Sequence, residues 1–241
     1  AAADGYQELL EHFTPRNLLA LTATPERHDG LDVLQYFDYH IAAEIRLPDA
    51  INRKLLSPFQ YFGVSDCVDL SNLHWTNGGY DKAQLNNIFN GNTQRASLVV
   101  QKMREILLDI AQCRALCFCV SQNHAAFMND YFNTHGVKSA VLTANSTPQE
   151  RNSVQGRLIS REINVICVVD LYNEGVDIKE IDTVLFLRPT ESLTVFLQQL
   201  GRGLRLHEDK ECLTVLDFVG NAHKNFNFEY RFRAMLGASG Q

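Results

Sequence analysis

Three largely apolar runs, at residues 115–120, 163–169 and 183–187, constrain the fold of this chain more than any other feature. A strand without polar alternation is buried on both faces. Helical patterns follow these runs. One covers residues 123–134, with Ser121 as its cap and Gly136 at its end. A second opens at Thr147-Pro148, with proline at the first helical position, and continues to residue 160. A third spans residues 191–204. Residues 137–143 and 212–218 supply two further strands. Strand and helix alternating in this way predict an α/β fold, a parallel sheet with helices on both faces. Before it, residues 95–110 form an amphipathic helix with Val99, Met103, Ile106 and Ile110 on one face.

The earlier part of the chain is harder to place in that sheet. Residues 18–21 (LLAL) read as one more apolar strand, running into Thr22-Ala23-Thr24-Pro25. A single strand is not a domain, so residues 1–45 are expected to be the end of a first unit. Residues 65–93 are rich in Asn, Gly, Asp and Ser, which predicts a loop-rich connector over 46–94. Residues 95–241 form the second unit. No stretch reaches the roughly 20 apolar residues of a membrane span, and the first ten residues show no secretory pattern. With 45% hydrophobic and 21% charged residues, the composition is that of a soluble globular protein, expected in the cytoplasm. The six cysteines form no CxxC pair and most sit inside apolar runs, so they read as buried apolar residues and no metal ligand set is assigned. The net charge of -6 excludes a freely basic nucleic-acid binder. The charge is uneven, however: residues 1–95 hold 7 basic and 12 acidic residues, and residues 96–241 hold 15 and 16.

The helix over 191–204 carries the clearest candidate site. At about 100° per residue, Gln198, Arg202 and Arg205 fall within a sector of roughly 60°. Leu193, Phe196, Leu197, Leu200 and Leu204 fall on the other side. Gly201 and Gly203 remove side chains between the polar groups and allow close approach. The polar face is either an ordinary charged surface or a phosphate site. Arginine rather than lysine favours planar, bidentate recognition of phosphate. After the 163–169 strand, Gly175 permits a tight turn and Asp177 can accept from a ribose hydroxyl; a plain turn is the other reading. No Gly-Lys dipeptide occurs, so the chain has no phosphate-binding loop of the GxxxxGK[ST] type. Residues 226–233 alternate aromatic and polar residues, as a packing segment or as a base-stacking one, and Trp75 reads as an anchor of the connector.

Four segments, taken in order, carry a resemblance. Thr22-Ala23-Thr24-Pro25 resembles motif III of the superfamily 2 helicases, and FCVS (118–121) resembles motif IV. VDLYNEGVDI (169–178) resembles motif V, and QQLGRGLR (198–205) matches the QxxGRxxR pattern of motif VI. The likeness extends over nearly the whole chain. It is nearest to bacterial DEAD/DEAH-box-like helicases with an extra uncharacterised C-terminal domain and often a phospholipase-D-like nuclease domain. The resemblance implies two RecA-like lobes with ATP and Mg²⁺ between them. The phosphate-binding loop and acidic box would belong to a first lobe upstream, so this chain alone would be inactive. Arg205 would be the arginine finger, with Arg202 assisting at the phosphates or holding the acidic box and Gln198 orienting water or bridging the lobes. Gly175 and Asp177 would contact the nucleotide, and Thr22 and Thr24 would couple ATP state to lobe movement. Ser121 and Thr143 would face nucleic-acid phosphates, with DNA as the expected track. Two other readings stay open: a non-enzymatic binding module on a RecA-like fold, and a restriction-type translocase that moves on duplex without separating strands.

Overall fold

The computed structural model describes residues 8, 10, 12–22, 33–76, 78–169 and 178–237. Its elements in chain order are α1 (Leu47–Asn52), β1 (Phe59–Asp69), β2 (Trp75–Thr76), β3 (Gly79–Tyr80), α2 (Lys82–Phe89) and α3 (Thr93–Ile106). There follow β4 (Ala115–Phe118), α4 (Gln122–Thr134), β5 (Ser139–Leu142), α5 (Pro148–Ile159) and β6 (Val165–Val168). The chain continues with β7 (Thr183–Phe186), α6 (Leu193–Gly203), β8 (Leu213–Asn221) and α7 (Phe228–Leu236). Six strands form one sheet in the order β1-β8-β7-β4-β6-β5, and every pairing in it is parallel. This is the RecA-like α/β architecture.

The apolar runs form the sheet's centre, and their alternation sorts side chains to two layers. Cys117 pairs with Cys167 and Leu185, and all three face a core with Val99, Met103 and Phe132 from α3 and α4. Leu116 and Phe118 face the opposite core, with Leu158 from α5 and Phe196 and Leu200 from α6. The helix starts follow local chemistry. Ser121 Oγ accepts from the His124 amide at 3.1 Å. Thr147 and Glu150 close a reciprocal capping box ahead of Pro148.

Three expectations are corrected. Residues 65–93 are not a loop-rich connector. They hold the second half of β1, the β2–β3 hairpin, α2 and the start of α3. Among the described residues β1 pairs only with β8. Tyr61 packs toward one core and Val64 toward the other, but exposed Gln60, Ser65 and Cys67 and the ion-paired Asp66 interrupt its apolar residues, so it never forms an apolar run. Its Asp66 makes a buried ion pair with Arg95 Nε at 2.5 Å. Residues 18–22 form no strand, and Leu19 and Leu21 are exposed; among the described residues no strand pairs with this run, and an unpaired run builds no ladder. The helix expected over 95–110 stops at Ile106. Among the described residues no helix is long and apolar enough to cross a membrane.

The segment 226–233 packs against the domain itself. Arg231 Nη1 donates to the buried Asp217 at 2.7 Å, and its guanidinium lies 4.7 Å from the Phe196 ring centroid. Arg233 pairs with Glu229 on the outer face of α7.

Candidate functional site

α6 begins beyond the carboxyl end of β7 and runs back along the sheet. Ser192 caps its start, and Phe196, Leu200 and Leu204 are buried as the helical wheel requires. Gln198 is exposed and Arg202 half-buried. The helix ends at Gly203, so Arg205 stands two residues past it, also half-buried.

Backbone bonds fix this exit. The buried Ser57 donates its amide to the Leu204 carbonyl at 2.7 Å and its hydroxyl to the Arg205 carbonyl at 3.2 Å. Lys210 Nζ donates to the carbonyls of Gly203 and Ile181, each at 3.0 Å, and of Lys179 at 3.1 Å. Burial lowers the Lys210 pKa from 10.5 to about 8, with Asp182 and Glu180 opposing that fall and Arg205 adding to it. One ammonium therefore ties the exit of α6 to the stretch that leads into β7. Gly203 is required by close approach. A Cβ there would lie 2.5 Å from Leu213 Cδ1, at the start of β8, whereas one on Gly201 would meet nothing within 4 Å. The closeness expected of both glycines thus belongs to one, and its neighbour is the protein's own strand.

The sequence-predicted residues separate into two groups. Gln198, Arg202 and Arg205 lie along α6 and its exit. That exit meets Ser57 and Leu213, which stand before β1 and at the start of β8, so the arginines end at the amino edge of the parallel strands. Ser121 and Thr143 follow β4 and β5 and share the carboxyl edge. The Ser121 hydroxyl caps α4 and donates to Asn86 Oδ1. Thr143 Oγ1 accepts from the Asn145 amide at 3.3 Å. Thr22 is exposed. Thr24, Gly175 and Asp177 lie outside the described residues.

Sequence reasoning missed Ser57 and Lys210. Lys210 sits in His207-Glu208-Asp209-Lys210-Glu211, which reads as a solvated turn, and nothing local marks its burial. Among the described residues, the one group of side chains with ligand atoms close enough to hold a metal is Cys117, Cys119 and Cys167, whose sulfurs lie within 4.8 Å of one another in the core.

Residues 99–207, from α3 to just past Arg205, match the family described as the helicase conserved C-terminal domain. Over those residues the chain is similar to that domain. A 51.5 kDa protein of a Lactococcus phage is 29% identical over 218 residues, covering 90% of this chain and 46% of the relative. IRC3 of Saccharomyces cerevisiae, a protein named as an ATP-dependent helicase, is 27% identical over 227 residues, covering 91% of this chain and 32% of the relative. In fold, the chain is similar to the ATP-dependent Type ISP restriction-modification enzyme LlaBIII bound to DNA, with a TM-score of 0.57 and 16% identity over 86% of this chain and 16% of that one. The chain spans about a third to a half of the length of the two sequence relatives. The matched span includes both edges of the candidate site, Ser121 and Thr143 at one and Arg202 and Arg205 at the other.

Proposed function

We propose that this chain supplies the second motor lobe of an ATP-dependent superfamily 2 helicase or translocase acting on DNA. The observation that carries the reading is the fixed exit of α6. Arg202 and Arg205 leave a helix whose last carbonyls are bound by Ser57 and Lys210, so the two guanidiniums project from a rigid base. Guanidiniums held in place suit the charge that develops on a transferred phosphoryl group. In this reading Arg205 is the arginine finger, Arg202 assists at the phosphates and Gln198 orients water or bridges to the other lobe. Gly175 and Asp177 contact the nucleotide, while Thr22 and Thr24 couple its state to lobe movement. Ser121 and Thr143, at the opposite edge, face strand phosphates. That separation lets one rigid lobe hold nucleotide at one edge and track at the other, so closure on ATP moves the strand contacts as a body. The lobe includes β1, and the phosphate-binding loop and acidic box come from a first lobe. Mg²⁺ enters with the nucleotide, and no residue of this chain is assigned to it.

The test is Arg205→Ala in a protein carrying both lobes. DNA-stimulated ATP hydrolysis should fall by about a thousandfold or more, with ATP binding largely kept. Unchanged turnover would overturn the motor reading in favour of a binding module. The 241-residue chain by itself should hydrolyse no ATP, and Mg²⁺-dependent turnover by the pure chain would contradict the two-lobe scheme. A strand-separation assay beside a translocation assay separates helicase from restriction-type translocase.

A further inference from the structure

A cleft opens at the carboxyl edge of the sheet, away from Arg205, and of the four motif-like segments only Val120 of FCVS reaches it. The β2–β3 hairpin forms one wall, and residues 188–193 and 225–227 form the others. It gathers aromatic residues from distant parts of the chain. The Trp75 and Tyr80 rings are 4.9 Å apart and edge-on, Trp75 stacks on His223 at 5.2 Å, and Phe226 lies 6.1 Å from Tyr80. Two helix starts meet the same space: α2, capped by Asp81, and α6, capped by Ser192. The dipoles of both helices favour an anion there. The two nearby carboxylates are turned to backbone amides, Asp81 accepting from Gln84 at 2.8 Å and Glu191 from Tyr80 at 3.1 Å. Thr190 lines the cleft at 3% exposure, and its Oγ1 has no hydrogen-bond partner among the described residues.

An aromatic wall beside an anion-favouring floor matches one chemical unit, a flat base joined to a phosphate. We infer that this cleft seats one nucleotide of an unpaired nucleic-acid strand, with the base against Trp75 and Phe226, which the buried Tyr80 backs, and the phosphate toward the starts of α2 and α6. Base stacking on aromatic side chains tolerates any sequence, which suits a contact that must be made and released along a track. Thr190 Oγ1 is placed to bond the base edge or the phosphate. The inference deepens the nucleic-acid reading above and rests on it. It also gives a task to two features of the sequence that the motifs left unused, Trp75 and the 226–233 aromatics.

Trp75 is the only tryptophan in the chain, so its emission reports the cleft directly. The 241-residue chain would be titrated at low salt with a fluorescently labelled single-stranded oligodeoxynucleotide, with the blunt duplex of the same sequence, and with ATP. The single strand should quench Trp75 saturably, in step with the rise in label anisotropy, and duplex and ATP should not. Phe226→Ala should weaken the strand by roughly five- to a hundredfold. Thr190→Val keeps side-chain volume and should weaken it severalfold with an unchanged circular dichroism melt. If the oligonucleotide binds while Trp75 emission stays constant and both variants bind as wild type, the strand lies elsewhere. The cleft inference then fails and the nucleic-acid reading stands. Equal quenching by ATP or duplex overturns the assignment to an unpaired strand. If nothing binds at low salt, the inference and the nucleic-acid reading fall together.

Discussion

Lys210 Nζ donates to the carbonyl of Gly203 at 3.0 Å and so holds the last turn of α6 from below. Two more of its bonds reach Ile181 and Lys179. Lys210→Met would leave buried carbonyls unpartnered, and stability at pH 7 should fall by about 1–3 kcal/mol. The pH dependence has a definite sign. The folded pKa is about 8 against an ordinary 10.5. Between those values the unfolded chain still binds a proton that the folded chain has released, so this group's contribution to stability rises with pH across that window. Below it, both states are protonated and the contribution is flat. Urea unfolding of wild type and Lys210→Met at about pH 7 and about pH 10 should show the wild-type advantage growing toward the alkaline side. An advantage that shrinks there would contradict the burial of a charged ammonium.

The two glycines flanking Arg202 should respond in opposite directions. Gly201→Ala places a Cβ where nothing lies within 4 Å, and a helical alanine is favoured over glycine by about 1 kcal/mol. Gly203→Ala drives a Cβ to 2.5 Å from Leu213 Cδ1, and Leu213 is fully buried and cannot swing away. Overpacking of that kind costs about 1–3 kcal/mol. Urea midpoints should therefore rise for the first variant and fall for the second. Equal shifts of one sign would mean that α6 does not approach β8 as described.

The same contrast shows what the sequence could carry. Residues 115–118, 165–168 and 184–186 are apolar without interruption because they lie inside the sheet, and such strands announce themselves. β1 does not, since only one of its neighbours is a strand and its outer positions stay polar. The polar face of α6 was legible because helical spacing sets side-chain direction. Burial at long range was not: the bonds from Ser57 to Arg205 and from Lys210 to Ile181 join residues 148 and 29 positions apart. The aromatic cleft was hidden for the same reason. Trp75, Tyr80 and Phe226 meet only because β1 and β8 are adjacent, and that pairing depends on the unrecognised strand.

Asp217 and Arg231 should prove the most sensitive pair in the domain. Asp217 Oδ2 accepts from the Tyr61 hydroxyl at 2.5 Å and from Arg231 Nη1 at 2.7 Å, and both partners of the ion pair are buried. Burial raises the Asp217 pKa, and Arg231 opposes that rise. Arg231 also donates to the Thr190 carbonyl, which links α7 to the loop before α6. Arg231→Met strands a buried carboxylate and should lower stability by about 3–5 kcal/mol. Tyr61→Phe removes one bond to that carboxylate and should cost about 1–3 kcal/mol. Replacing both Asp217 and Arg231 by apolar residues should cost less than Arg231→Met alone. A double variant no better than the single one would show that α7 is held chiefly by its apolar contacts.

Thiol reactivity gives an independent check on the core. Cys67 is exposed and Cys212 half-buried, while Cys113, Cys117, Cys119 and Cys167 are buried. Burial pushes the Cys113 and Cys117 thiols well above their ordinary range, which suppresses the thiolate that reacts. Under native conditions Ellman's reagent should modify Cys67 quickly and Cys212 more slowly. The other four should react at the rate at which the chain unfolds, and all should become reactive together in denaturant. Rapid native modification of Cys117 or Cys167, located by peptide mass mapping, would mean that β4 and β6 open independently of the rest of the sheet. The paired register of Cys117 with Cys167 in the middle of that sheet argues that they do not.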